Sequence, residues 1–97
     1  MSGEPEAIVL WEFPAADFAG WCDLVGEPEV ATHAEYLALL AAVQADQERQ
    51  GRRVLRARFP VARMRAELAA RAWPNTPDHR AAVTGLLADL RSEQFLP

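Results

Sequence analysis

The 97-residue sequence contains no lysine, a single cysteine and, in its first 48 residues, no basic residue at all. The lone Cys22 excludes an intramolecular disulfide, which fits a reducing compartment. No continuous apolar run, residues 7–11 included, approaches the roughly 20 residues that a membrane-spanning helix needs. The N-terminus also lacks the basic-then-apolar pattern of a secretion signal. These absences predict a soluble cytoplasmic protein without a membrane partner.

Signatures of catalysis and of cofactor binding are missing as well. The sequence has no glycine-rich phosphate loop, no Gly-x-Ser-x-Gly and no pair of cysteines or histidines at metal-ligand spacing. His33 and His79 lie far apart, and Cys22 falls on the apolar stripe of a predicted helix, where a cysteine behaves as a small hydrophobe. The carboxylates are scattered and indicate no acid–base pair. We therefore expect a non-enzymatic protein with no metal, no cofactor and no small-molecule substrate.

The charges of the chain are strongly segregated. All ten basic residues are arginines, and all of them lie between Arg49 and Arg91. Residues 1–48 contain ten acidic residues and no basic one, a charge of −10, whereas residues 49–97 contain ten arginines and four acidic residues, a charge of +6. The 19 alanines and the absence of lysine are typical of a high-GC bacterial coding bias. That bias does not explain the segregation, so either the halves neutralise each other or the basic half binds an anion.

Hydrophobic periodicity predicts one domain over residues 1–97, with a predominantly helical α+β fold in the order β-α-α-β-α-α. The predicted strands are residues 7–13 and 52–59. The predicted helices are residues 15–25, 33–50, 61–72 and 77–91. Because two strands alone are marginally stable, helices must cover them. Residues 1–6 are expected to form a flexible lead, and residues 94–97 a tail that is frayed or tucked onto the core.

Local residue patterns mark several helix ends. Thr32 to Glu35 form a capping box at the start of the second helix, and Gly51 marks its end. Pro60 suits the first turn of the third helix, while Thr76 and Pro77 cap and begin the fourth. The residues expected to face inward, helix by helix, are Phe18, Trp21, Cys22 and Val25; Tyr36, Leu39, Leu40 and Val43; Val61, Met64, Leu68 and Ala72; and Ala82, Val83, Leu86, Leu87 and Leu90.

The arginines supply the candidate binding residues. Arg52, Arg56 and Arg58 share one face of the second predicted strand, because alternate residues of a strand point the same way. Arg63 and Arg65 follow in the first turn of the next helix, where a cation opposes the helix dipole. Positive charge at that position favours the binding of an anion such as phosphate, because both arginine and a helix N-terminus can bind phosphate.

The last two predicted helices, joined by residues 73–76, resemble a helix-turn-helix motif over roughly residues 61–91. The resemblance implies that the second helix presents its N-terminal residues to the DNA major groove. Those residues are Asp78, His79, Arg80 and Thr84. The preceding helix would contact the DNA phosphate backbone through Arg63, Arg65 and Arg71. These features predict a small nucleic-acid-binding protein whose candidate contacts are Arg52, Arg56, Arg58, Arg63, Arg65 and Arg80.

An alternative has the acidic and basic halves paired within the protein. The acidic face of the first strand would lie beside the strand arginines if the two strands are neighbours; its residues are Glu4, Glu6 and Glu12. A second acidic group, Glu27, Glu29 and Glu35, would pair with Arg63 or Arg65. The protein would then be a protein–protein interaction module, either a homodimer or an accessory subunit of a larger assembly. Trp73, at a helix end before a turn, is the candidate protein contact.

Overall fold

The structure, a computed structural model, describes the backbone of residues 7–95 and the side chains of residues 7–88. The elements follow the order β-α-α-β-α-α, which confirms the predicted α+β fold. The strands are β1 (Ala7–Glu12) and β2 (Arg53–Arg58), and the helices are α1 (Phe18–Val25), α2 (His33–Arg49), α3 (Val61–Ala70) and α4 (Pro77–Phe95). A 3-10 turn, Ala15–Asp17, precedes α1. The lead predicted for residues 1–6, and residues 96–97 of the predicted tail, lie outside the described residues.

β1 and β2 are hydrogen-bonded neighbours that run parallel, with Ala7 opposite Arg53 and Glu12 opposite Arg58. A parallel pair cannot be closed by a tight hairpin, so the chain needs a crossover, and α1 and α2 provide it. Both α2 and α4 contact both strands. The sheet is therefore covered by helices, as its small size requires.

The start and end of α2 follow the predicted local chemistry. Thr32 Oγ1 accepts a hydrogen bond from the Glu35 N–H at 3.1 Å, and the Glu35 carboxylate in turn accepts from the Ala31 N–H at 3.2 Å. At the other end Gly51 adopts a φ of 84°, and its N–H donates to the Glu48 carbonyl at 3.0 Å. A left-handed residue that returns its N–H to the last turn is a common helix stop, and glycine adopts it without strain.

α3 ends two residues earlier than predicted, because Ala72 adopts a left-handed φ of 55°. The Trp73 N–H donates to the Leu68 carbonyl at 3.0 Å, and the Ala72 N–H donates to the Ala69 carbonyl at 3.1 Å. This pair of bonds is a Schellman C-cap, which an alanine here forms in place of the usual glycine. Ala72 is exposed at the helix end, so the expectation that it faces inward is wrong.

One cluster of apolar side chains holds the sheet and the helices together. Phe13, Met64 and Val83 are its most deeply buried large side chains. The remaining buried members are Trp11, Leu24, Tyr36, Leu40, Val61, Leu68 and Leu87. The cluster takes residues from both halves of the sequence, so it ties the acidic half to the basic half through apolar contact.

The inward faces of α1, α2 and α4 differ in part from the prediction. In α1 the buried residue is Leu24. The four residues that were predicted to face inward are half-buried: Phe18, Trp21, Cys22 and Val25. In α2 Leu39 is exposed, and in α4 Leu86 and Ala82 are exposed. The buried face of α4 includes Thr84, which lies beside the correctly predicted Val83 and Leu87, so the face is rotated towards the Thr84 side. The predicted Leu90 lies beyond the described side chains.

Candidate functional site

The N-terminal half of α2 closes part of the outer edge of β1. The Glu12 carbonyl accepts from the N–H of Phe59, the residue after β2, so the flanking carbonyls of Trp11 and Phe13 point to the other edge. His33 Nε2 donates to the Phe13 carbonyl at 2.8 Å, and the Tyr36 hydroxyl donates to the Trp11 carbonyl at 2.6 Å. Burial raises the pKa of Tyr36 to about 12, so this hydroxyl keeps its proton at neutral pH. α2 is thereby fixed relative to the strand that carries Glu12.

The Glu12 carboxylate binds two arginines of the neighbouring strand. Its Oε1 accepts from Arg56 Nη1 at 2.9 Å, and its Oε2 accepts from Arg58 Nε at 3.1 Å. The hydrogen bond from Arg56 lowers the pKa of Glu12, and burial opposes that effect in part. Arg56 Nε also donates to Gln44 of α2 at 3.1 Å. The predicted cross-strand pairing is therefore present at Glu12, while Glu4 and Glu6, the other predicted partners, lie outside the described residues.

Arg52 does not join the other two strand arginines. Its Nη1 donates to the side-chain oxygens of Gln47 at 2.6 Å and Gln50 at 3.0 Å. The side chain therefore folds back onto the end of α2. The alternation of a strand predicted that it would share a face with Arg56, but β2 begins only at Arg53, so that alternation does not extend to Arg52.

Arg63 of α3 and Arg71, the residue that follows α3, share one carboxylate of that helix. Arg63 Nε donates to Glu67 at 3.0 Å, and Arg71 Nη2 donates to the same carboxylate at 3.2 Å. These hydrogen bonds, led by the one from Arg63, lower the pKa of Glu67. The expectation that Arg63 pairs with the acidic group of residues 27–35 is wrong, because residues four apart on a helix are already neighbours. Arg65 is exposed and makes no ion pair with a side chain of residues 7–88.

The connection between α3 and α4 is held by contacts among its own residues and those of the adjoining helix ends. Thr76 Oγ1 caps α4 by accepting from the His79 N–H at 3.2 Å. The His79 ring stacks on Trp73, with 5.3 Å between centroids, and its Nδ1 donates to the Pro74 carbonyl at 2.9 Å. The Arg71 guanidinium lies 5.4 Å from the centroid of the Trp73 ring. Trp73, the predicted protein contact, is half-buried and already packed against two neighbours.

The residues predicted to enter a DNA groove do not share one exposed face. Arg80 Nη1 donates to Asn75 Oδ1 within the connection. Thr84 is only 4% exposed, and its hydroxyl donates to the Arg80 carbonyl at 2.8 Å, so its predicted contact with DNA is wrong. Asp78 is exposed but negatively charged. The six candidate arginines accordingly fall into separate groups of contacts along the chain.

An apolar cavity between α1, the loop that follows it and α2 was not predicted. Its volume is about 150 Å³. It is lined by Trp21, Val25, Pro28, Val30, Tyr36 and Leu39, together with Glu27 and Glu29. Leu39 is 42% exposed, and both glutamates are exposed. The apolar stripe of α2 was the one sign of this cavity in the sequence. Leu39 was predicted to face the core, but no residue was predicted to pack over it.

No helix of residues 7–95 is long and apolar enough to cross a bilayer, and no group of three or more metal-ligand side chains occurs among the described residues. The chain matches no family model, no curated protein and no solved structure.

Proposed function

We propose that this protein is a non-enzymatic docking module for another protein, and that the cavity between α1 and α2 receives the partner. The observation that carries the proposal is an open cavity with apolar walls and an acidic rim. Isolated exposed apolar side chains are ordinary, but Leu39 continues a lining formed by Trp21, Val25 and Val30. A concave apolar site that would accept an anchor side chain is the usual centre of a protein contact.

The contacts of the arginines favour a protein partner over nucleic acid. A phosphate at Arg56 would have to compete with Glu12, and a phosphate at Arg63 or Arg71 would have to compete with Glu67. The net charge of −4 also opposes long-range attraction to a polyanion. We therefore adopt the alternative of a protein–protein interaction module, in which Glu12 of the acidic half pairs with Arg56 and Arg58, whereas Glu67 pairs with arginines of its own half.

The lining residues define the chemistry of the partner. Tyr36, Trp21 and Leu39 offer apolar surface for one aliphatic side chain, while Glu27 and Glu29 stand exposed beside it. Complementary charges at an interface steer association and exclude wrong partners. The expected partner segment therefore carries a leucine-like anchor flanked by arginine or lysine.

A pair of labelled peptides tests this proposal by fluorescence anisotropy. One contains leucine flanked by arginines, and the other has glutamates in place of the arginines. We expect the arginine peptide to bind in the micromolar range and the glutamate peptide to bind at least about tenfold more weakly, with the difference shrinking at high salt. Failure of the arginine peptide to bind, or equal binding of the two peptides, would contradict the proposal.

Two variants of α2 locate the binding site. Leu39→Gln should weaken binding of the arginine peptide about tenfold, because removal of a central apolar contact commonly costs more than 1 kcal/mol. Ala41→Gln is the matched control, since Ala41 is exposed and lies two residues further along the helix, on a different face. Equal effects of the two substitutions would place the peptide elsewhere, and circular dichroism establishes that both variants remain folded.

A further inference from the structure

The outward side of α2 is apolar along the middle of the helix. Among residues 36–45 the exposed ones are all alanine or leucine: Ala38, Leu39, Ala41, Ala42 and Ala45. The exposed side of a surface helix is normally charged or polar, and 25% of the residues of this chain are charged. The uncharged stretch is about 15 Å long, since a helix rises about 1.5 Å per residue. An exposed apolar surface of this kind is typical of an interaction site.

This apolar side of α2 is continuous with the docking cavity. Leu39 is in the lining of the cavity and is 42% exposed. Ala42 lies about one turn further along α2 on the same side, because residues three apart on a helix are neighbours. The axes of packed helices lie roughly 8–10 Å apart, and small side chains at the contact allow the closer approach. The alanines therefore leave room for a second helix directly beside the cavity.

A helical segment suits this surface better than an extended one. At the nearby edge of β1 the carbonyls of Trp11 and Phe13 already accept hydrogen bonds from Tyr36 and His33. An extended peptide gains its affinity mainly from main-chain hydrogen bonds to an open strand edge. An amphipathic helix needs no such bonds, because its apolar side supplies the contact.

The charges beside this apolar surface differ between its two ends. At and just before the start of α2 three carboxylates are exposed: Glu27, Glu29 and Glu35. Near its end, on the same side, Asp46 is paired with Arg49 at 3.2 Å, so these two charges cancel. Basic residues of a partner are therefore favoured over the start of α2. Because basic residues stabilise the C-terminal end of a helix, a partner helix that carries them there would run antiparallel to α2.

We propose that the partner segment at the docking cavity is an amphipathic helix that packs antiparallel to α2. Its apolar side would cover Ala42, its leucine anchor would enter the cavity beside Leu39, and basic residues of its last turn would face Glu27 and Glu29. This inference rests on the proposed docking function and adds the conformation and the direction of the partner. A second copy of this chain fits less well, because two antiparallel α2 helices would place the carboxylates at the start of each against the neutralised pair near the end of the other.

Three peptides of about 18 residues test the conformation and the direction, since isolated helices of this length are marginal in water. Each is rich in alanine and has a central leucine. The first has two arginines in its last turn, the second has them in its first turn, and the third repeats the first with a proline on each side of the leucine. On mixing with the protein, the first peptide should gain helical circular dichroism beyond the sum of the separate spectra. By fluorescence anisotropy it should bind at least about fivefold more tightly than the other two.

The three affinities separate this inference from the docking function itself. Equal binding of the first and third peptides would overturn the helical conformation, and equal binding of the first and second would overturn the direction. If all three bind equally without a gain of helix, docking at Leu39 stands and the partner is not a helix. If none binds and the short arginine peptide also fails, the docking function fails with it.

Substitutions on the surface of α2 locate the bound helix. Ala42→Gln should weaken binding of the first peptide at least about fivefold, because the longer side chain holds the two helices apart, and should change binding of the short arginine peptide less than about twofold. Ala41→Gln is the matched control, since Ala41 is also exposed but points to the opposite side of α2 from Leu39. Equal effects of the two substitutions on the first peptide would overturn the proposed surface. A dimer in light scattering that Ala42→Gln abolishes would identify a second copy as the partner and would also overturn the proposal. The peptide comparison uses the unaltered protein and holds even if a variant fails to fold.

Discussion

The ion pair between Glu12 and Arg56 should stabilise the fold measurably more than the pair between Glu12 and Arg58. Both arginines bind the same carboxylate at similar distances, 2.9 and 3.1 Å. They differ in exposure, because the Arg56 side chain is 23% exposed and the Arg58 side chain is 65% exposed. Solvent screens the second pair far more strongly than the first.

The expected magnitudes follow from that difference. Exposed ion pairs typically contribute 0.2–1 kcal/mol, and hydrogen bonds to charged groups roughly 1.5–3 kcal/mol. The pair of Glu12 and Arg56 is charged, hydrogen-bonded and only partly exposed, so its strength should lie between these two ranges. We therefore expect a coupling free energy of about 1–1.5 kcal/mol for this pair. For Glu12 and Arg58 we expect no more than about 0.5 kcal/mol.

Double-mutant cycles measured by urea denaturation check both values. The changes are Glu12→Gln, Arg56→Gln and Arg58→Gln, combined in pairs. Because Arg56 also binds Gln44, its single substitution loses more than the ion pair, but that loss cancels in the cycle. A coupling near zero for Arg56, or a larger coupling for Arg58 than for Arg56, would show that exposure does not determine the strength of these two pairs.

The same pair makes the stability of the protein depend on pH. The pKa of Glu12 is lowered in the folded protein, so the folded state binds fewer protons than the unfolded state through the acid range. The stabilisation is complete above the ordinary pKa of about 4.5 and is lost as the pH falls through the lower, folded value. The difference in unfolding free energy between the parent and Glu12→Gln should shrink in that window, and a constant difference would contradict the assignment.

Two further substitutions test the packing and the helix ends by the same denaturation assay. Tyr36→Phe removes the 2.6 Å hydrogen bond to the buried Trp11 carbonyl and should cost about 1–2 kcal/mol, so a loss near zero would mean that the carbonyl finds another donor. Ala72→Gly should stabilise the protein by about 1 kcal/mol, because alanine is strained at a φ of 55° whereas glycine is not. Ala66→Gly, at an exposed position inside α3, should instead destabilise by about 1 kcal/mol, and stabilisation by both would contradict this explanation.

The order of the elements and most of their ends could be predicted because local chemistry determines them. Thr32 and Glu35 cap α2 through their own side chains, and Gly51 supplies the left-handed residue at its end. Ala72 could not be predicted in that role, since alanine disfavours a left-handed φ and only the surrounding packing imposes it. The ion pair of Glu12 with the β2 arginines followed from strand alternation once the strands were neighbours.

The candidate sites were harder to predict because they depend on distant segments. The docking cavity forms only where the loop with Pro28 and Val30 lies beside Leu39, and no periodicity specifies that placement. Burial of Thr84 was missed because a threonine on α4 was taken as polar surface, although its hydroxyl can bind the carbonyl one turn back. The Arg63–Glu67 pair, in contrast, was visible in the sequence as an i,i+4 spacing.

A fluorescence-anisotropy titration with nucleic acid tests whether the arginines are engaged within the fold and the partner is a protein. A labelled random DNA duplex is titrated with the protein at low salt and again at physiological salt. We expect no micromolar binding under either condition, because Glu12 and Glu67 already bind four of the arginines and the net charge is negative. Micromolar binding that falls steeply with salt would contradict it and would identify the arginines as a phosphate-directed surface.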